Sequence, residues 1–354
     1  MLKHETEKYK IEEINGKLVG YEKEHQVLKS NNEVLIQDLS DDFYKSVLDG
    51  LNKIKADHII NPGDYVAIKI NLGGGIHHVP STYSDPKICE AIIRAVKELG
   101  GIPFVCEANM RAHKMDDKML KIRGYYDMLQ RNKTKFVNLS YIGTIEMKCI
   151  GLDVKLLLPK ILFYDNVKII SFAPPKPHWE CGISCSQKNM YGAIAERRKS
   201  IYHRKFDRID KTVAAAARLM SPDINILGCQ NLCVGTGPHF GEPVPFNKLI
   251  ISEDMVYGDK LCSEIFGYPY KFVKYAMINT NNVDVSYKLH PESSEMSQEI
   301  LDLIKEKSIY MKEVNFWKRF LHFQYFVPHD FQYHFYPPFE FLFTEINKRF
   351  FKNR

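Results

Sequence analysis

Several features that would place a chain in a class at once are missing from this sequence of 354 residues. No apolar run is long enough to span a bilayer. The charged N-terminal segment MLKHETEKYKIEE has no apolar stretch of the kind found in secretory signals. Low-complexity tracts and short internal repeats are also lacking. We therefore expect a globular cytoplasmic protein rather than a membrane-spanning, secreted or repeat protein.

Familiar cofactor motifs are missing as well. Neither the dinucleotide-binding pattern G-x-G-x-x-G nor the P-loop pattern with its lysine occurs. The eight cysteines are scattered and include no ferredoxin-type run. Cys106 and Cys149 lie in apolar, strand-like segments, which favours reduced thiols in a reducing compartment.

The composition is that of an ordinary globular protein, with a hydrophobic share of 45% and a charged share of 26%. The length suits one large α/β domain with additions, or two modest domains. The net charge of +6 is mild and its basic residues are dispersed. This balance gives some support to a small anionic ligand and argues against nucleic acid as a partner.

The first third of the chain predicts a β-loop-α-β unit. Residues 9–14 and 17–21 form a predicted hairpin around Asn15-Gly16. A helix is predicted over 43–60, and a second helix begins at the Ser84-Asp85-Pro86 cap. The two strands of the unit, 65–72 and 102–108, flank this second helix. Such a unit favours a parallel sheet with a right-handed crossover.

The remaining elements extend this sheet. Strands are predicted at 135–139, 167–172 and 224–229, and 144–150 with 154–158 indicates an antiparallel insertion. Helices are predicted over 209–220, 254–266 and 298–307, and the sheet is expected to end near Pro269. The predicted fold class is α/β: a mostly parallel sheet with helices on both faces, the antiparallel insertion and an aromatic-rich C-terminal extension. We predict four parts: hairpin and helix (1–60), α/β core (61–270), helical segment (271–314) and tail (315–354).

Residues 176–203 carry the densest group of chemically active side chains. The segment follows the apolar strand at 167–172, and ligands of open α/β sheets lie beyond the carboxyl ends of the strands. His178 and His203 flank Lys188, and His113 follows the strand that ends at Glu107. A histidine transfers protons near neutral pH and a desolvated lysine becomes a nucleophile. His178, Lys188, His203 and His113 are therefore candidate catalytic residues, although each is also compatible with a turn or a surface charge.

A composite anion pocket is predicted around this segment. Its walls would be the glycine run after the strand at 65–72, the helix start at Thr82–Asp85, the 176–189 segment and the glycine loop 235–241. Glycine lets the backbone approach a ligand and aim N–H groups at an anion. The predicted ligand-binding residues are Lys69, Asn71, Gly74, Thr82, Asp85, Glu107, Lys176, Asn189, Gly235, Gly237 and Asp259.

Metal binding has two sets of candidates. One is His178 with His203. The other is the thiol set Cys181, Cys185, Cys229 and Cys233. The spacing C-x-x-x-C is looser than that of most zinc and iron–sulfur sites, so we predict that these four thiols do not jointly hold a metal.

The last forty residues stand apart because they are rich in aromatic and basic side chains. Phe316, Phe320 and Phe323 have the spacing of one helical stripe, while Pro337-Pro338 interrupts any long helix. The stripe would cover the main domain, meet a second copy in a homo-oligomer, or contact a membrane surface peripherally. We favour a protein contact.

A series of short motifs in order resembles a known family. The series comprises Lys69-x-Asn71, Thr82-x-x-Asp85-Pro86, Glu107, Lys176-x-His178, Gln187-Lys188-Asn189-x-x-Gly192, Gly235-x-Gly237-Pro238-x-x-Gly241 and Asp254-x-x-x-x-Asp259. Together they resemble the bacterial and archaeal family called domain of unknown function 362, over about 64–267. Some members of that family carry iron–sulfur modules, for which this chain lacks the cysteine run.

A fainter likeness concerns His178, Lys188 and His203, whose arrangement is similar to that in lactate racemase of the nickel-pincer type. The likeness implies that Lys188 anchors a cofactor, that one histidine binds nickel, and that others act as acid and base, with His113 as the remaining histidine. The glycine-rich surroundings of that lysine are missing here.

The sequence thus predicts an enzyme that acts on a small anionic metabolite by acid–base chemistry, with metal-assisted epimerisation or a redox reaction as variants. One alternative is an iron–sulfur or metal carrier without turnover. The other is an accessory protein associated with a membrane or a partner.

Overall fold

The computed structural model describes residues 1–24, 26–73, 80–110, 113–178, 180–204, 208–236 and 240–308. The strands within them are β1 (Tyr9–Ile14), β2 (Lys17–Glu22), β3 (Glu33–Asp38), β4 (Tyr65–Lys69), β5 (Ile102–Glu107), β6 (Lys135–Asn138), β7 (Thr144–Lys148), β8 (Lys155–Pro159), β9 (Val167–Ala173), β10 (Lys176–His178), β11 (Gly182–Ser184), β12 (Ile224–Thr236), β13 (Phe240–Ser252) and β14 (Lys288–Leu289). The helices are α1 (Phe43–Lys53), α2 (Pro86–Glu98), α3 (Asp117–Ile122), α4 (Tyr125–Arg131), α5 (Ser186–Gly192), α6 (Arg208–Leu219), α7 (Met255–Ile265), α8 (Lys274–Asn279) and α9 (Gln298–Ser308).

The main sheet has eight strands in the order β14-β3-β13-β12-β9-β4-β5-β6. All neighbouring pairs from β12 to β6 are parallel, and only β13 runs against its two neighbours. This confirms the predicted α/β class with a mostly parallel sheet.

The strand order reverses between β4 and β9. From β4 the chain proceeds to β5 and β6 on one side, then returns to β9 and β12 on the other side. Crossover segments leave the two central strands in opposite directions at such a point, and a crevice opens beyond their carboxyl ends. The topology therefore places a ligand crevice where β4 ends at Lys69 and β9 passes Ser171, which are register partners.

Helices cover both faces of the sheet, as predicted. On one face, apolar side chains of α1 to α4 pack with Ile68, Val105 and Ile170. On the other face, α6 and α7 pack with Leu227 and Ile250. Neighbouring residues of a strand point to opposite faces, so both faces of the central strands are apolar and buried.

A second sheet, of order β1-β2-β7-β8, covers part of that other face. The β1–β2 hairpin turns at Asn15 and Gly16, whose φ angles of 51° and 72° fit a type I′ turn. β7 and β8 pair antiparallel, which confirms the predicted insertion. This insertion pairs with the N-terminal hairpin through β2 and β7, which run parallel.

Three predicted boundaries were wrong. Helix α1 ends at Lys53 rather than at residue 60, because Lys55 adopts a left-handed conformation with φ of 55°. The predicted strand at 224–229 continues to Thr236, so Gly235 lies within a long β12–β13 hairpin and not in a loop after the strand. The sheet extends past Pro269, since β14 pairs with β3.

The structure also contains elements that the sequence patterns did not predict, namely β3, β10, β11, β13, β14, α3, α4, α5 and α8. The predicted cap of α2 is confirmed: the Asp85 side chain accepts from the Lys87 N–H and Pro86 is the first helical residue. β3, which lies in the predicted N-terminal part, is a strand of the main sheet. The four-part division of the chain stays a prediction.

Among the helices that the structure describes, none is both long and apolar enough to cross a membrane. The aromatic tail 315–354 lies outside the described residues.

Candidate functional site

A buried polar cluster lies at the carboxyl ends of β4 and β9, where the strand order reverses. Lys69 ends β4, Glu107 ends β5, and Ser171 lies near the end of β9. Asn189 reaches this point from α5. All four side chains are at least 97% buried. Because buried polar groups are costly unless they are paired, the cluster must be held by specific contacts.

Asn189 joins the two central strands. Its Nδ2 donates to the Lys69 carbonyl oxygen and to Ser171 Oγ, both at 3.0 Å. Its Oδ1 accepts from Lys69 Nζ at 3.0 Å and lies 3.5 Å from Asn71 Nδ2. One amide therefore fixes the floor of the crevice on both sides.

Lys69 and Glu107 form a buried ion pair, with 3.0 Å between Nζ and Oε1. Lys69 Nζ also donates to the Ile70 carbonyl oxygen at 2.6 Å. Gly192, the last residue of α5, packs directly on this pair: a β-carbon there would lie 2.7 Å from Lys69 Nζ and 2.9 Å from Glu107 Oε1. The glycine of the family motif is thus required by the close approach of α5 to the ion pair.

A second group adjoins this cluster beyond the end of β4. Lys176 Nζ donates to Asn71 Oδ1 at 3.1 Å and to the Thr82 carbonyl oxygen at 2.9 Å. Ser84 fixes the same loop, since its Oγ accepts from the Asn71 N–H at 2.8 Å and donates to the Phe172 carbonyl oxygen at 2.9 Å. The predicted pocket residues Lys69, Asn71, Thr82, Lys176 and Asn189 therefore come together in space.

Lys176 is a buried ammonium whose hydrogen-bond acceptors among the described residues are neutral. Burial, with a smaller contribution from the positive charge of Lys188, lowers the pKa of its amine to about 8. The neighbouring groups that act in the other direction are the thiols of Cys233, Cys185 and Cys229. Lys188 is half-buried, and no hydrogen bond or ion pair ties it to the described residues.

His203 lies in a chain of three side chains. Its Nδ1 contacts Glu180 Oε2 at 2.9 Å, and its Nε2 contacts the Tyr191 hydroxyl at 3.1 Å. The carboxylate can only accept a hydrogen, so Nδ1 carries one, and Nε2 faces the Tyr191 hydroxyl, which also donates to the Lys199 carbonyl oxygen at 3.2 Å. Glu180 is buried, whereas the His203 side chain keeps 14% of its exposure. This is the arrangement of a proton-transfer group held in one tautomer by a carboxylate.

His178 is oriented by the backbone that follows it. Its Nδ1 accepts from the N–H groups of Glu180 at 3.1 Å and Cys181 at 3.3 Å. Those donors require a lone pair on Nδ1, so the neutral ring carries its hydrogen on Nε2. The backbone after β10 therefore fixes the orientation of the His178 ring.

The sequence patterns missed Lys199, Glu180 and Tyr191 as members of the site. Lys199 is 97% buried and donates to the Gly192 carbonyl oxygen at 2.7 Å. Burial lowers the pKa of its amine to about 7, while the nearby Glu107 opposes that shift. Lys199 ends the charged run Glu196-Arg197-Arg198, and a charged run indicates a solvated surface. Only the tertiary contact with α5 marks Lys199 as buried.

Asp259 and Asp85 hold helices at this site. The buried Asp259 carboxylate accepts from the N–H groups of Ser186 at 2.7 Å and Gln187 at 3.1 Å, and from Gln187 Nε2 at 3.2 Å. Burial raises the pKa of Asp259 to about 7. The observed contacts thus fix the start of α5, while ligand contact by either aspartate stays a prediction.

The four thiols proposed for a cluster are all buried. Burial raises the pKa of the thiols of Cys185, Cys229 and Cys233, the last to about 11. A raised pKa disfavours the thiolate that binds metals. Within the described ranges, no group of three or more His, Cys, Asp or Glu side chains is placed to hold a metal ion.

Some predicted residues lie away from these contacts or outside the description. Gly74 and Gly237 fall outside the described residues. Gly235 has a positive φ of 84° within the β12–β13 hairpin. His113 is buried in the segment after β5. A surface cavity of about 420 Å³ lies at the opposite edge of the sheet, near Lys53 and Glu253, and none of the predicted residues lines it.

Comparison with known proteins agrees with the motif series. Residues 66–264, more than half of the chain, match the family described as Domain of unknown function (DUF362). The chain belongs to this family. The matched region of the DUF362 family begins in β4 and ends in α7, and it contains every residue of the polar cluster. The predicted resemblance is therefore confirmed, whereas the likeness to lactate racemase stays a prediction.

The chain is also similar to a thylakoid-associated protein of Synechocystis sp. (strain ATCC 27184 / PCC 6803 / Kazusa). The two are 23% identical over 224 residues, which cover 59% of this chain and 64% of that protein. The chain thus spans just under two thirds of that relative's length.

Proposed function

We propose that this protein is an enzyme that moves a proton on a small anionic metabolite bound beyond the carboxyl ends of β4 and β9. The observation that carries the proposal is the chain Glu180–His203–Tyr191, which adjoins α5 and the buried cluster at the reversal of strand order. A histidine in a fixed tautomer next to an anion pocket is suited to general acid–base catalysis.

Each part of the site has a distinct role in this proposal. Lys176 and Lys188 attract the anion. Asn189, Lys69 and Glu107 keep the crevice rigid. His203 exchanges the proton at Nε2, either directly or through the Tyr191 hydroxyl, and Glu180 stabilises the imidazolium that forms.

The likeness to lactate racemase, which implied nickel, does not enter the mechanism. In the part of the chain that the structure describes, no three His, Cys, Asp or Glu side chains are placed to hold a metal ion. Isomerisation at a carbon next to a carboxylate is the reaction class that this donor set supports best, because it requires only proton transfer. Metal assistance and redox chemistry stay predictions.

The test is solvent exchange. Purified protein would be incubated in D₂O with small 2-hydroxy acids and their phosphate esters, and deuterium incorporation followed by NMR. We expect exchange at the carbon next to the carboxylate, slowed by about 10² to 10⁴-fold in H203N.

The matched control is H58N, because His58 is an exposed histidine outside the crevice. It should exchange at the wild-type rate. Equal rates in wild type and H203N would contradict the proposal, as would an unchanged rate in E180Q.

A second candidate function is association with a membrane surface. It is favoured by the similarity to a protein described as thylakoid-associated. The two functions are compatible, since a pocket enzyme can also dock on a bilayer. Flotation with liposomes tests the membrane association by itself.

A further inference from the structure

The positive charge at the crevice is larger than the described residues balance. Lys69 has Glu107 as its partner at 3.0 Å. Among the described residues Lys176 has no such partner: its acceptors there are the Asn71 amide oxygen and the Thr82 carbonyl oxygen. Lys188 precedes Asn189, whose Oδ1 lies 3.5 Å from the side chain of Asn71, the residue that accepts from Lys176. Among the described residues Lys188 has neither a hydrogen bond nor an ion pair, and its positive charge acts to lower the pKa of Lys176.

Two uncompensated lysines in this arrangement are unfavourable without a counter-charge. A buried ammonium without a counter-charge costs free energy, and a second positive charge nearby adds repulsion. A ligand that carries one negative charge would balance only one of the two. A ligand with two negative charges would balance both and would recover charge-assisted hydrogen bonds from each ammonium.

We propose that Lys176 and Lys188 form the binding site for a dianionic group, such as a phosphate monoester or a pair of carboxylates, on the ligand of this crevice. This inference rests on the proposed function for the position of the site and adds the substrate class. Asn71 orients Lys176, because its Oδ1 accepts from Lys176 Nζ and from the Gly73 N–H at 3.2 Å. Lys188 follows the helix start that Asp259 holds, so its position is fixed by α5.

The geometry distinguishes this site from a general surface attraction. Lys176 is 97% buried, whereas an exposed lysine on the surface attracts anions weakly and non-specifically. Lys176 is therefore buried and Lys188 half-buried, as a ligand that enters from solvent requires.

The test is a titration of the full chain by isothermal calorimetry at constant ionic strength and pH 7. Three probes are used: sulfate, a tetrahedral dianion; malonate, a dicarboxylate; and acetate, a monoanion. We expect sulfate or malonate to bind at least about tenfold more tightly than acetate, because a second charge-assisted hydrogen bond contributes on that order. Whichever dianion binds more tightly identifies the source of the two charges.

Variants locate the site. K188Q and K176M should each lower the affinity for the preferred dianion by about tenfold or more, to near the affinity for acetate. The methionine in K176M retains the apolar stem, so this buried variant is expected to fold. K135Q is the matched control, because Lys135 is exposed at the start of the edge strand β6, away from the carboxyl ends of the strands where the crevice lies. It should bind as wild type does.

Two results would overturn the inference: equal affinity for dianions and acetate, or unchanged affinity in both K188Q and K176M. The H203N variant separates this inference from the proposed function, since it should retain dianion binding while losing exchange. Exchange on a monocarboxylate without preferred dianion binding would leave the proposed function standing and refute the dianion site. Dianion binding without exchange on any substrate would leave the dianion site standing and refute the proposed function.

Discussion

At the scale of single residues, Asn189 determines the geometry of the crevice. It makes hydrogen bonds with both central strands and with the Lys69 ammonium. Only 1% of its surface is exposed to solvent. No other side-chain type of this size offers two donors and an acceptor in one plane. The asparagine therefore has a structural reason to be there that holds whatever the ligand is.

Replacing Asn189 tests this directly. N189A should lower the free energy of unfolding by about 3 kcal/mol, because it leaves buried donors and acceptors, one of them charged, without partners. Chemical denaturation with urea measures the loss. The control N166A removes an exposed asparagine and should change stability by less than about 0.5 kcal/mol. A loss of similar size in both variants would contradict the assigned role.

Lys199 gives a prediction for pH dependence. Its pKa is lowered from 10.5 to about 7 by burial, so below pH 7 the folded protein bears the full cost of a buried charge. Between pH 7 and 10.5 the unfolded chain binds more protons at this position, and the free energy of unfolding rises with pH. Above that window the contribution is constant.

K199M should therefore reduce the rise in stability over pH 7 to 10, by up to about 1.4 kcal/mol per pH unit. Urea unfolding at several pH values measures the slope. K135M, which changes an exposed lysine, should leave the slope as it is in the wild type. An identical slope in K199M and wild type would show that the Lys199 amine does not titrate in this window. Lys176 contributes a separate rise in the free energy of unfolding above pH 8, and this rise persists in K199M.

At the scale of elements, α5 is the part that assembles the site. It has seven residues, too few to be stable alone, and it carries Lys188, Asn189 and Tyr191. Asp259 holds its start from α7 and Gly192 lets its end approach the Lys69–Glu107 pair. Tertiary contacts at both ends therefore replace the stability that its length cannot provide.

G192A tests the packing of this element. The added β-carbon would meet Lys69 Nζ at 2.7 Å, and the buried lysine cannot move away without breaking its hydrogen bonds. Overpacking of this kind costs about 1–3 kcal/mol and outweighs the helix propensity that alanine adds, about 1 kcal/mol. We expect a lower melting temperature and weaker anion binding.

The control is G143A, where the nearest atom, Lys160 Cδ, would be 3.9 Å from the new β-carbon. It should melt within about 2 °C of the wild type, as expected for a surface change that adds no clash. A G192A protein as stable as G143A would show that α5 does not pack against the ion pair as described.

At the scale of the whole molecule, the open question is what the aromatic tail contacts. Its predicted stripe Phe316, Phe320 and Phe323 lies outside the described residues, so the prediction rests on sequence alone. Each buried aromatic contributes about 1.5–3 kcal/mol, so a stripe left in water is unfavourable. The similarity to a thylakoid-associated protein adds a bilayer to the candidate surfaces.

Deletion of residues 315–354 should lower the melting temperature or reduce the mass of an oligomer in detergent-free buffer. Scanning calorimetry and light scattering measure the two effects. If the truncated protein instead keeps stability and mass but no longer floats with anionic liposomes, the membrane surface is the contact. K318Q/R319Q, which keeps the aromatic stripe, is the matched variant: it should weaken liposome binding alone and leave a protein contact intact.

Much of the fold could be predicted from local patterns, because the determining forces are local. Alternating and continuous apolar runs marked β4, β5, β9 and the insertion. The Asn15-Gly16 turn and the Asp85 cap each depend on the few residues around them. The motif series likewise identified the family, and it includes Lys69, Asn71, Lys176 and Asn189 of the polar groups at the crevice.

The tertiary structure decided the hydrogen-bond and ion-pair partners of those residues. Lys199 is buried although its charged neighbours suggest solvent, because α5 covers it. Glu180 and Tyr191 acquire a role only when His203, far along the chain from Glu180, folds between them. A side chain's pKa, its tautomer and its counter-charge depend on atoms that are close in space and distant in sequence. The sequence therefore determined the elements and the family, and long-range packing determined which polar groups meet at the end of β4.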